Sequence, residues 1–295
     1  MKYITCNLKY IAAASVAAVI GITASNAIGQ TVVASGGSKA KYKDKGFCNN
    51  NNWSDNDRVS VNELREMTVA STGSLNVDAG KNGGISVKGE DRGDVQIRAC
   101  IQTWGKSGDD ARAALSSIRI NTVGEVKPEG PSEGNWSVSF EVLVPRQTSV
   151  SLKAHNGGIS ISGTDGNAEF STMNGGVNVT NVSGNVKGRT TNGGVNVSLA
   201  GASWKGSGLD VETTNGGVNL TVPSNFAAHI ETGTVNGGFK SDIPALNVTT
   251  EDVKGDGSNG RTHSKRVVTN LNGGGATVRI ITTNGGVRIN NGDKN

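Results

Sequence analysis

Asn174-Gly175-Gly176-Val177-Asn178-Val179-Thr180 is the stretch whose reading decides the fold. Eighteen residues on stands Asn192-Gly193-Gly194-Val195-Asn196-Val197-Ser198, and eighteen before it Asn156-Gly157-Gly158-Ile159-Ser160-Ile161-Ser162. Each heptad pairs a Gly-rich corner with four residues that alternate β-branched and polar. That alternation is the signature of a half-buried strand, and a fixed period is the signature of stacked repeats. Asn-Gly-Gly recurs at Asn82, Asn156, Asn174, Asn192, Asn215, Asn236, Asn272 and Asn284. The later steps lengthen around Trp204-Lys205-Gly206 and Pro223-Ser224-Asn225, as insertions do when they bulge from one point of a repeat. The Asn and Gly residues are expected to supply the positive φ angles of a sharp corner.

Between corners a second alternating segment is expected. Ala168, Phe170 and Thr172 point inward, as do Val186, Gly188 and Thr190, then Leu209, Val211 and Thr213, then Ala228 and Ile230. Glu169, Lys187, Arg189, Asp210, Glu212, His229 and Glu231 then point outward, so that in-register stacking sets Lys187 between Glu169 and Asp210 and Arg189 beside Glu212. The fold class read from this pattern is all-β: a parallel β-solenoid of the β-helix or β-roll kind, built of Asn-Gly-Gly repeats. Its rungs are expected to stack in chain order, with the polar tail from Asn290 to Asn295 capping the last edge. One short helix is expected in the N-terminal part, at Asp109 to Leu115, opened by two acids that suit a helix N-terminus.

Composition agrees with a thin core. There are 43 glycines in 295 residues, well above the usual share of about 7%, and aromatics make up 4%. Lys2 and Lys9 precede an apolar run from Ile11 to Ile22, followed by Ser25-Asn26-Ala27, which reads as an export signal cleaved after Ala27. Residues 28–58 read as a flexible N-terminal segment with a basic cluster from Lys39 to Lys45. Residues 59–146 are the N-terminal β-rich part and 147–295 the repeats. The mature chain is expected to lack a transmembrane segment and to reside in the periplasm, at the cell surface or outside the cell. It keeps Cys48 and Cys100, an even count for an oxidising compartment, which predicts one disulfide, with two free thiols as the alternative.

The search for chemistry yields little. Three histidines, His155, His229 and His263, show no metal-ligand spacing, and neither a metal nor a cofactor is expected. Scattered basic residues without aromatic interleaving argue against nucleic acid. The Asp256-Gly257-Ser258-Asn259-Gly260 segment reads as a loop rather than a calcium site, lacking the terminal acid of such a loop. Arg92-Gly93-Asp94 matches a host-contact tripeptide, in a turn-like context that favours these residues anyway. The face expected to bind is the polar ladder of Ser160, Asn178, Thr180, Asn196, Ser198, Asn219 and Thr221. Its partner is unnamed, with a glycan, a cell-envelope component or a surface protein as candidates. The alternative is a carbohydrate-active solenoid, a polysaccharide lyase or hydrolase, using Asp210, Glu212, Lys187 and Arg189 with Glu231 nearby.

The Thr-x-Asn-Gly-Gly-Val-x-Val units, with Cys48, Trp53, Arg58 and Glu63-Leu64-Arg65-Glu66, resemble the bacterial putative-adhesin family of exported β-strand-repeat proteins, a domain of unknown function. Ala111 to Leu115 and Ile118-Arg119-Ile120 are similar as well, and the resemblance covers roughly residues 60 to 290. It implies export and a β-repeat fold, and it carries no catalytic residues. Members often hold a second Cys before the Glu-x-Arg-Glu segment, where this chain has Asn62, so the resemblance leaves Cys100 as the partner for Cys48.

Overall fold

The computed structural model describes residues 46–48, 54–55, 58–243, 249–254 and 261–293, with backbone alone for 54–55, 249–254 and 261–264. The export signal expected at 1–27, the Lys39–Lys45 cluster and the Asp256–Gly260 loop lie outside the described residues.

Among those residues the chain is all-β apart from one helix, Gly108–Ser117. Two large sheets, of eleven and nine strands, carry most of it. The chain passes back and forth between them, contributing one longer strand to the nine-stranded sheet and one short strand to the eleven-stranded sheet at each pass. Ala168–Asn174 is followed by Val177–Thr180, Asn185–Asn192 by Val195–Ser198, and Gly208–Asn215 by Val218–Val222. Each pair forms a rung, and rungs pair in parallel with exact register, Val177 beside Val195 and Val195 beside Val218. The inward columns are aliphatic: Ile85, Ile159, Val177, Val195, Val218 and Val287 are all almost wholly buried.

The rung order differs from the expected one. Thr277–Asn284 and Val287–Asn291, the last strands of the chain, do not end the stack. Thr277–Asn284 pairs with Gly208–Asn215 on one side and with Ala228–Asn236 on the other. Val287–Asn291 likewise lies between Val218–Val222 and Phe239–Ser241. The chain therefore skips a rung after Val222 and fills the gap with its C-terminus. The route is set by Arg261–Leu271, which runs antiparallel along the far side of Ala228–Asn236. It then turns back across that strand's start at Asn272, Gly273, Gly274 and Gly275, all at positive φ. Charge supplies a physical reason. In chain order Asp210 would abut Glu231, two like charges directly opposed; the inserted rung places Arg279 between them.

The N-terminal part also departs from the simple reading. Ser74–Asp78 and Ile85–Glu90 form the first rung of the stack. Arg58–Ala70, Asp94–Gly105 and Trp136–Pro145 instead extend the eleven-stranded sheet, joined to each other antiparallel. Their two junctions use long strands, and the helix packs against them through buried Ala111 and Leu115. Ser107 caps the helix in a reciprocal box with Asp110, which supplements the two acids expected there. Cys48 and Cys100 are joined in a disulfide. It brings Phe47 over Arg98, with 5.5 Å from guanidinium carbon to ring centroid, where Arg98 is also paired to Glu66 and Glu141.

Candidate binding faces

The corner explains why the repeat needs its residues. At the stacked Asn-Gly-Gly corners from Asn156 onward the first glycine is required by close approach rather than by dihedral freedom, whereas Gly83 and Gly273 do take positive φ. Gly157, Gly175, Gly193, Gly216 and Gly285 are absent from the positive-φ residues, which correct the sequence expectation. A Cβ at Gly175 would lie 2.1 Å from the Gly157 carbonyl oxygen, and one at Gly193 would lie 2.0 Å from that of Gly175. Rungs stack so tightly here that a side chain has no room.

Two further columns lock the corner. Asn156, Asn174, Asn192, Asn215, Asn284 and Asn236 each donate from Nδ2 to the Oδ1 of the preceding rung's Asn, starting from Asn82, at 2.8–3.0 Å. Asn272 lies elsewhere, in the turn before Thr277, and donates to the carbonyls of Ser224 and Phe226. Behind the corner, the inward threonines donate to glycine carbonyls: Thr172 to Gly157, Thr190 to Gly175, Thr213 to Gly193 and Thr282 to Gly216, at 2.7–2.8 Å. Sequence reasoning placed Thr172, Thr190 and Thr213 inward but missed this bond. Its signal was the Thr standing two residues before most of the Asn-Gly-Gly corners.

The eleven-stranded sheet carries the polar ladder on its outer face. Ser160, Asn178, Asn196 and Asn219 align across successive rungs, with Ser162, Thr180, Ser198 and Thr221 alongside. Asn178, Thr180, Asn196 and Asn219 are exposed, and Ser160, Ser198 and Thr221 are half-buried. Asn196 Nδ2 donates to Asn178 Oδ1 and Asn219 Nδ2 to Asn196 Oδ1, both at 2.9 Å. A side-chain amide offers two N–H donors and two acceptor lone pairs, so Asn196 keeps one of each for a ligand. Asn178 and Asn219, at the ends of this run, keep more.

The outer face of the nine-stranded sheet carries charge. Glu169, Lys187, Asp210, Arg279 and Glu231 form one row across it. Arg279 bonds Asp210 and Glu212 at 2.6 Å each and lies 3.8 Å from Glu231; Glu231 is also paired with Arg266. Burial works against the Arg279 charge, yet its hydrogen bonds to Glu212 and Asp210 hold its pKa above the usual arginine value. Each of the three carboxylates named for a catalytic alternative is thus engaged by an arginine, and Arg279 was not foreseen in that role.

Other sequence candidates are placed as follows. Trp204 is buried, its indole N–H donating to the Gly184 carbonyl. Arg92 bonds the Asp94 carboxylate at 2.8 Å, closing that tripeptide on itself. His155 is exposed, and His229 Nδ1 lies 2.8 Å from Asn270 Oδ1. Among the described residues no three His, Cys, Asp or Glu side chains gather into a metal-sized group, and no helix is long and apolar enough to cross a membrane.

The family model described as Toastrack DUF4097 matches residues 70–290. The chain belongs to that family. It is the domain of unknown function that the Thr-x-Asn-Gly-Gly-Val-x-Val units resemble. Solved structures similar to this Toastrack chain include one described as a putative cell adhesion protein from Clostridium sporogenes, with 13% identity and a TM-score of 0.41, over 78% of this chain and 100% of that one. A second, described as a putative adhesin from Bacteroides fragilis, has 11% identity and a TM-score of 0.28, over 78% of this chain and 97% of its own. A third, from Parabacteroides distasonis and described in the same way, has 7% identity and a TM-score of 0.26, over 77% and 97%. No curated protein matches the chain.

Proposed function

We propose that the mature chain is an exported, non-enzymatic β-solenoid that works as an adhesin or as a binding and structural module of the cell envelope. In this reading residues 1–27 are a cleaved export signal, 28–58 an N-terminal segment held to the body at Cys48, and 59–146 the head of a solenoid continued by 147–295. The observation that carries it is the amide ladder of Asn178, Asn196 and Asn219. Its side chains are already fixed by mutual hydrogen bonds and still direct polar atoms outward. Ordering a long polar side chain on binding costs about 0.5–1.5 kcal/mol. A ladder ordered in advance avoids most of that cost, and strand stacking repeats it at about 4.8 Å.

The engagement of Asp210, Glu212 and Glu231 by arginines supports binding over hydrolysis or elimination, since a general base needs a lone pair aimed at substrate. The test replaces Asn178, Asn196 and Asn219 together with Ala and measures retention on immobilised peptidoglycan, cell-wall polysaccharide and matrix protein. Retention of the parent on one surface, lost in the variant at unchanged fold, supports the ladder as the binding face. Equal retention of both assigns the ladder a purely structural role and removes this support.

A further inference from the structure

We infer that the outer face of the nine-stranded sheet holds a second site, centred on Lys187 and Arg189, for an acidic polysaccharide carrying about one carboxylate per sugar. The inference deepens the binding reading by naming a ligand class, and it rests on that reading while using the opposite sheet from the amide ladder.

The starting point is an imbalance in the charge rows. Toward the C-terminal end of the stack every described acid of the row is matched, because Arg279 draws Asp210 and Glu212 to itself and Arg266 joins Glu231. Lys187 stands in register with Glu169 and Asp210, and Arg189 with Glu212. Yet among the described residues neither Lys187 nor Arg189 forms an ion pair. The inserted C-terminal rung has taken the partners that chain-order stacking would have left to them. Both are exposed. Two rungs from Arg189, beyond Ser171, Lys153 is exposed as well, its ammonium 3.6 Å from Asp78.

These cations border an open depression of about 500 Å³ that also includes Ser151, Ser171, Glu169 and Glu212. The mixture selects the ligand. Lysine and arginine take a carboxylate in charge-assisted hydrogen bonds. Serine hydroxyls donate to or accept from sugar hydroxyls, and the neighbouring carboxylates accept from them. A dense polyanion such as a nucleic acid would place phosphates against Glu169, Asp210 and Glu212 and be repelled. A neutral glycan would leave Lys187 and Arg189 with no gain over water. A uronic acid polymer meets both demands, a carboxylate on the cations and hydroxyls on the acids. The strands run across the depression and the rungs advance along it, so an extended chain crosses Ser151 and Lys153, Glu169 and Ser171, Lys187 and Arg189, and Asp210 and Glu212 in turn.

The experiment measures retention of the mature protein on immobilised polygalacturonate, on dextran and on double-stranded DNA at low and moderate salt. Retention on polygalacturonate that falls with salt is expected, with little on dextran or DNA. Lys187→Gln with Arg189→Gln should weaken it about tenfold or more, the loss of one or two charge-assisted bonds, at an unchanged melting temperature. Glu169→Gln should strengthen it. Asn196→Ala on the other sheet should leave it as it was. Equal or tighter retention on DNA, or insensitivity to the Lys187 and Arg189 changes, overturns the inference. No retention on polygalacturonate, beside retention on another surface that responds to Asn196→Ala, also overturns it while leaving the broader binding reading in place. A protein held by none of the surfaces in either test sinks both.

Discussion

Gly188 and Phe170 share one slot of the core, and the stack should register any change in either. They are paired across adjacent rungs, in an inward column that runs Leu152, Phe170, Gly188, Val211. Phe170 is 2% exposed. A Cβ at Gly188 would lie 2.1 Å from Phe170 Cε2 and 2.3 Å from Cδ2 and Cζ, so the ring fills the space that the glycine leaves. Gly188→Ala should therefore cost about 1–3 kcal/mol from overpacking. Restricting the unfolded chain gives back about 0.4–1 kcal/mol, for a net loss of up to about 2.5 kcal/mol. Phe170→Val alone opens a cavity and costs less than the about 3–5 kcal/mol of a Phe→Ala truncation. The double variant Phe170→Val with Gly188→Val gives both rungs the residue that Val211 already supplies next in the column. It should be more stable than the sum of the single costs by at least about 1 kcal/mol. Urea unfolding midpoints of the four proteins measure the coupling. Additive costs, or a Gly188→Ala variant more stable than the parent, would refute the shared slot.

Three further outcomes are expected. Arg279→Glu sets like charges among Asp210, Glu212 and Glu231 and should cost more than the about 1 kcal/mol of an exposed ion pair; faster hydrogen exchange confined to 277–291 and its two neighbouring rungs would locate the effect, and an unchanged melting temperature would count against the inserted rung. Thr190→Val removes the donor to the Gly175 carbonyl and should cost about 1–3 kcal/mol, with Thr190→Ser recovering most of it; equal stability of all three in thermal melts would dismiss the corner bond. Cys100→Ser opens the loop of sequence separation 52 closed with Cys48 and should cost about 4 kcal/mol in the chain-entropy model; a melting temperature indifferent to this change and to reductant would contradict it.

Much of the rung was legible because alternation and burial are the same fact seen twice. Val177 and Val179 had to face in once Asn178 and Thr180 faced out, and the register of Lys187 with Glu169 and Asp210 followed from counting between corners. The rung order was not legible. Every Asn-Gly-Gly corner sends the same local signal, so it specifies a turn without specifying a neighbour. What decides the neighbour is side-chain complementarity at a distance, Arg279 against Asp210 and Glu231, and a turn at Asn272 that shares the motif but serves another bend. The corner glycines misled for a related reason. Their need comes from a carbonyl 2.0–2.1 Å from the absent Cβ, contributed by another rung, which no local reading of φ preference contains. The candidate face was visible as a row of Asn, Ser and Thr; the bonding of those amides to one another was visible only once the rungs were stacked.

The claim that these faces bind rather than react is tested most directly in one experiment. Protein comprising residues 28–295 is incubated with a panel of polysaccharides, peptidoglycan and matrix proteins, and retention and newly released sugar ends are read in the same wells. Retention on at least one surface with no released ends is the predicted result. Released ends that rise with time and protein concentration, and that disappear on changing Asp210 or Glu212 to the amide, would contradict it.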